Sequence, residues 1–178
     1  MKPSTLLVAL ASFAAGAVLA LTAVEGLASP ARPAKPSYYA DGRHGFSLLP
    51  PEFPKGEKDS AGMTVSFFSP PKNGFATNLG VMVQNVAMTA DQYSELSTGQ
   101  FKSAGLKVVS ETRKKVGGKD AIAWEYEGTL QERELKWMAL AVVDTDRVYL
   151  LTGTALKADY DQAAKAFKPC LDSFKLGD

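Results

Sequence analysis

Few side chains in this 178-residue chain have the type and spacing that chemistry needs. His44 is the only histidine and Cys170 the only cysteine, so an imidazole-activated thiol would have to unite the two ends of the folded region. No G-x-S-x-G elbow is present for a serine nucleophile. A structural zinc site takes about four N or S ligands, and His44 with Cys170 offers only half that set. Asp144 and Asp146 flank a single threonine and read as a hairpin turn, because so short a loop cannot surround calcium, which takes about six to eight oxygens. Glu125 and Glu127 share one face of a strand, as a carboxylate pair for acid–base work would. Glu132 and Glu134 sit across the hairpin among Arg133 and Lys136, so the group reads as an exposed, charge-mixed face. The expectation is a non-enzymatic protein with no metal and no cofactor.

Three residue groups point to contact instead. Arg113, Lys114, Lys115 and Lys119 surround a Gly117-Gly118 turn; they read as a hairpin tip whose charges discourage edge pairing, or as an electrostatic contact for a partner or an anionic lipid. Trp124, Tyr126 and Trp137, with Tyr149, lie on neighbouring strands, either as core or as the wall of a pocket for an apolar ligand. Tyr38 and Tyr39 fall outside the core pattern and are candidates for a docking contact, or for packing of the linker onto the domain. The formal net charge is +1, with no basic stripe, which argues against nucleic acid as a partner.

The elements that must position these residues follow from period and punctuation. Short strands are expected at 46–49, 64–68 and 78–86, the first two ended by Pro50-Pro51 and Pro70-Pro71, since proline cannot donate to a ladder. Residues 69–74 are turn chemistry. Thr89 with Gln92 forms a capping box for a helix that Gly105 stops. A meander follows at 106–115, 120–130, 135–144 and 147–155. Residues 137–143 are apolar without alternation, so that strand is covered on both faces. Tyr160, Ala163, Ala164, Phe167, Leu171 and Phe174 then trace one face of a closing helix, which Pro169 is expected to kink or interrupt. Together these give an α+β fold: an antiparallel sheet of about seven strands with helices packed on it.

Ahead of this region Lys2 precedes an uncharged, mainly apolar run at 5–24, followed by Pro30, Arg32, Pro33, Lys35 and Pro36. That order is an export signal. Gly26, Ala28 and Ser29 make a small-residue cleavage site, while 19 apolar-rich residues at 6–24 are also long enough for an uncleaved anchor. The expected organisation is a signal peptide or membrane anchor at 1–28, a stiff polyproline-type linker at 29–41 and one domain at 42–178. The domain faces the periplasm or cell envelope in either case. Cys170 lies in an apolar helical pattern and reads as a buried, inert thiol.

The order of segments also carries a likeness. "GFSLLPPEF" from Gly45, "ATNLGVMVQNV" from Ala76, the capped helix at "TADQYSELS", the hairpin "VGGKDAIAWEYEG", the pair "KWMALAVVDTDRVYLLTGTA" and the closing "FKPCLDSF" resemble the PsbP-like superfamily over residues 45–176. That group takes in the extrinsic PsbP subunit of photosystem II, DcrB-type bacterial envelope proteins and the nuclear Ran-binding Mog protein. The leader looks bacterial, so the resemblance is to an exported bacterial member. It implies an α-β-α sandwich that acts by docking on other proteins, and it carries over no binding residue. The expected function is docking on, or assembly of, a larger membrane-associated complex through a protein partner; the alternative is carriage of a small apolar ligand.

Overall fold

Alternating apolar side chains and tight polar turns place more of the described residues in strands than in helices. The computed structural model describes residues 37–53 and 62–177, so the leader and the linker up to residue 36 lie outside the described residues. Nine strands and two α-helices occur among them. In chain order these are β1 (Tyr39–Asp41), β2 (Phe46–Leu48), β3 (Val65–Phe68), β4 (Asn78–Gln84), α1 (Ala90–Ser103), β5 (Lys107–Val116), β6 (Lys119–Leu130), β7 (Arg133–Val143), β8 (Val148–Leu156), α2 (Tyr160–Asp172) and β9 (Lys175–Leu176). Six strands form one antiparallel sheet in the order β3-β4-β8-β7-β6-β5, and β1-β2-β9 form a second, small one. The expected α+β sandwich is present, with nine strands in two sheets in place of about seven in one. Tyr39–Asp41, assigned to the linker from the sequence, pair with Phe46–Leu48 instead. That ladder satisfies the backbone groups that face β2, and Tyr39 packs its ring against Phe46 and Phe67.

Register decides what each helix covers, because side chains alternate across a strand. Trp124, Tyr126, Trp137, Ala139 and Ala141 face α1, whose Tyr93 and Phe101 pack on them. Leu79, Val81, Leu140, Val142 and Leu151 face the other way, against Phe167, Cys170 and Leu171 of α2 and against Phe46 and Leu48 of the small sheet. Both faces of β7 are therefore buried, as its uninterrupted apolar run predicts. Gly153 marks the closest approach of α2. A Cβ there would stand 2.6 Å from the Phe167 ring, so only glycine lets the helix sit this close.

Helix α1 begins as its capping box dictates. Gln92 N–H donates to Thr89 Oγ1 at 3.2 Å and Thr89 N–H to Gln92 Oε1 at 2.9 Å. Helix α2 runs through Pro169 without interruption. The proline lies in the last turn, where its missing N–H removes one bond near the helix end, and burial of Phe167, Cys170 and Leu171 around it holds the helix together. Among the described residues no helix is long and apolar enough to cross a membrane.

Candidate functional site

Each residue singled out for chemistry is engaged with a different partner. His44 sits in the β1–β2 turn, its Nδ1 3.1 Å from Asp41 Oδ1, while its carbonyl accepts from the Tyr149 hydroxyl at 2.8 Å. Cys170 is buried in α2 and donates its thiol to Ala166 O at 3.0 Å; burial pushes its pKa up to about 12. Glu125 pairs with Lys136 at 3.1 Å and Glu127 with Lys157 at 3.3 Å. Glu127 lines a small polar cleft of about 200 Å³ with Lys107, Glu134 and Lys157, and neither Glu125 nor His44 lines it. No group of three or more metal-ligating side chains occurs among the described residues.

Trp124, Tyr126 and Trp137 form a packed stack rather than an open wall. Their exposures are 2%, 5% and 3%. The Tyr126 ring lies 4.3 Å from that of Phe101 and 5.1 Å from that of Trp137, nearly parallel to both, so rings occupy the space between α1 and the sheet. Burial pushes the Tyr93 and Tyr126 phenols above their ordinary range.

The four cations near the tip of the β5–β6 hairpin each meet a carboxylate. Arg113 pairs with Asp91 and Glu111, Lys114 with Asp172 of α2, Lys115 with Asp120, and Lys119 with Asp144 at 2.7 Å. The Lys119 hydrogen bond lowers the Asp144 pKa, with help from the Thr145 N–H. The tip is therefore charged but locally balanced. Tyr38 and Tyr39 lie elsewhere: β5 is one edge of the six-stranded sheet, and β1 packs near β3, the other edge, through Tyr39 and Phe67. The two sets of contact residues are thus not brought together. Tyr39 is half-buried, whereas Tyr38 is 52% exposed with the Lys175 ammonium 5.9 Å from its ring centre. Its only peer among exposed large apolar side chains of the described residues is Val109, at a bulge in β5.

A site that sequence reasoning missed lies at the other end of the chain's connections. The β3–β4 loop, Phe53 and the start of α2 enclose a groove of about 320 Å³, within the size range of ligand and peptide-side-chain pockets. Phe53, Pro70, Phe75, Leu156, Ala163 and Ala166 give it apolar walls. Lys72 and Asp159 join those walls by an ion pair of 2.9 Å. The loop wall is braced: Asn73-Gly74 makes a tight turn with positive φ at both residues, closed by paired Lys72–Phe75 backbone bonds of 2.9 and 3.0 Å. Arg133 lies over the Phe75 ring at 5.9 Å and donates to Asn73 O at 3.4 Å. Asn-Gly was legible as a turn, but Asp159, the partner of Lys72 across the groove, stands 87 positions away in sequence and only the fold joins them.

The fold is an α-β-α sandwich with an open groove at one end of its main sheet. The PsbP family profile matches residues 35–176, and the chain belongs to that family. Among solved structures, cyanobacterial PsbP from Synechocystis shares 18% identity, with 84% of this chain and 98% of that one covered at a TM-score of 0.57. LpqN of Mycobacterium tuberculosis, described as involved in cell envelope biogenesis, shares 12% identity over 80% of this chain and 90% of that one, at a TM-score of 0.64. A Bacteroides thetaiotaomicron protein matches at 14% identity and a TM-score of 0.55, covering 79% of this chain and 48% of its own. At these identities the likeness is one of fold. A comparison with curated proteins finds no match.

Proposed function

We propose that this chain is a non-catalytic, exported envelope protein that docks on, or helps to assemble, a larger membrane-associated protein complex. Membership of the PsbP family over nearly the whole folded region carries the reading. The envelope role in the description of LpqN and the export-type leader agree with it. Tyr38 is the preferred contact residue, because a half-exposed tyrosine beside a cation can anchor an interface at low entropic cost. The hairpin lysines are the weaker choice, since a partner's carboxylates would have to displace those already bound.

Gentle affinity purification of the tagged, natively exported chain from whole envelopes, followed by mass spectrometry, tests this. A stoichiometric membrane protein should accompany it. Tyr38→Ala should weaken binding of that protein by roughly thirty-fold or more, as loss of an interface anchor does, without altering thermal unfolding. A partner-free, monodisperse monomer from native envelopes would remove the reading.

A further inference from the structure

The one Asn-Gly pair of the chain, Asn73-Gly74, stands at the exposed tip of the β3–β4 loop. An asparagine side chain lies next to the following main-chain nitrogen, which on losing its proton can attack the side-chain carbon and close a five-membered ring. Glycine admits this attack most readily because it has no Cβ to obstruct it. Three asparagines occur in the chain, and their surroundings differ. Asn78 is 2% exposed, and Leu79 follows it in the β4 ladder. Asn85 is exposed, but β-branched Val86 follows, and the Val86 N–H is given to Gln84 O at 3.1 Å. The Gly74 N–H takes part in neither of the two Lys72–Phe75 bonds that close its turn. Rotation at Asn73 that carries its side chain to Gly74 N therefore breaks only those two bonds, at a loop tip, where local opening costs least.

Arg133 supplies what an ionised main-chain amide needs. Its Nη1 donates to Asn73 O at 3.4 Å, and its Nη2 lies 3.4 Å from where a Gly74 Cβ would stand, so the guanidinium rests against the Asn73–Gly74 peptide. When Gly74 N loses its proton, negative charge spreads onto Asn73 O, the atom that Arg133 holds. A cation at this range favours the ionised form. The position of Arg133 over the Phe75 ring, 5.9 Å from its centre, keeps the guanidinium in place.

The structure assigns Asn73 as a spontaneous deamidation site, promoted by Arg133, whose product releases the loop wall of the groove. Gly74 N bonds to Asn73 Cγ, the Cγ–Nδ2 bond breaks, and Nδ2 leaves as ammonia, taking up a proton to replace the one that Gly74 N gave to solvent. Water then opens the succinimide at either carbonyl, leaving aspartate or isoaspartate at position 73. Isoaspartate adds a carbon to the main chain, so a two-residue turn with φ of 53° at Asn73 and 69° at Gly74 can no longer pair Lys72 with Phe75. The wall that carries Lys72 and Phe75 then loses its brace, and with it the hold of Lys72 on Asp159. The inference stands independently of any partner of the domain.

Incubation of the purified full chain at mildly alkaline pH, sampled over weeks by peptide mapping and mass spectrometry, tests it. Position 73 should convert before Asn78 or Asn85 changes, with isoaspartate among its products. Arg133→Gln should slow the conversion by roughly three- to ten-fold, the weight of one cation beside an exposed anion. That difference should vanish in urea, where the contact is gone. In the isoaspartate form, separated by ion exchange, hydrogen exchange at residues 72–75 should be faster than in the parent. Conversion of Asn85 as fast as that of Asn73, or an equal or faster rate in Arg133→Gln, would overturn the inference. Unchanged exchange at 72–75 in the isoaspartate form, or an Arg133 effect that persists in urea, would overturn it as well.

Discussion

Replacing Glu111 by leucine should loosen the attachment of α1 to the sheet. The Glu111 carboxylate accepts from Ser94 Oγ at 2.7 Å and from Trp124 Nε1 at 3.0 Å, tying the helix and β6 to the edge strand β5. Ser94 is 5% exposed and Trp124 2%, so neither donor can turn to solvent. Leaving a buried donor unpaired costs about 1–3 kcal/mol, and the serine hydroxyl can rotate, so Glu111→Leu should destabilise by about 2–4 kcal/mol. In a domain of this size that lowers Tm by roughly 6–14 °C. Arg113 also reaches Glu111, at 3.3 Å, but its side chain is 45% exposed and its loss adds little. Thermal and urea unfolding followed by tryptophan fluorescence would measure the change, with Glu111→Gln, which keeps one acceptor, falling between. The mechanism is isolated by repeating the substitution in Trp124→Phe, which has no N–H: the penalty should shrink there by about 1–2 kcal/mol. A Glu111→Leu variant within about 0.5 kcal/mol of the parent, or an undiminished penalty in the Trp124→Phe background, would refute the reasoning.

Other outcomes follow from single contacts. Gly153→Ala forces a methyl to 2.6 Å from the Phe167 ring and should cost about 2–3 kcal/mol or more by overpacking; an unchanged urea midpoint would show that α2 can retreat freely. The β6–β7 turn holds two non-glycine residues at positive φ, Gln131 at 48° and Glu132 at 61°, so replacing the pair by Asn-Gly should raise stability by about 1–2 kcal/mol in the same assay, and no gain would contradict the strain. Cys170, whose thiol is raised from 9.0 to about 12 by burial, should react with iodoacetamide at pH 8 only as fast as the domain opens. The sign for stability follows: the unfolded thiol ionises first, so the thiol's contribution is complete below pH 9 and is lost as pH rises towards 12. Rapid labelling of the folded protein would show the thiol is accessible.

Sequence alone determined what is local. Thr89 and Gln92 cap α1 because both bonds close within three residues, Gly117-Gly118 turns the β5–β6 hairpin because both positions have positive φ, and the run at 137–143 announced a strand buried on both faces. The segment order was enough for the fold family, since the order of strands and helices leaves few ways to layer them. Tertiary structure decided everything that depends on partners distant in the chain. Lys114 finds Asp172 and Lys119 finds Asp144, so a basic cluster in sequence becomes a balanced surface in space. Tyr39–Asp41 become a strand because β2, already paired with β9, offers its free edge. The groove exists because the β4–β8 pairing carries the end of β8, and with it the start of α2, beside the β3–β4 loop. Such contacts close loops of tens of residues, and no local pattern records which distant side chain will be the neighbour.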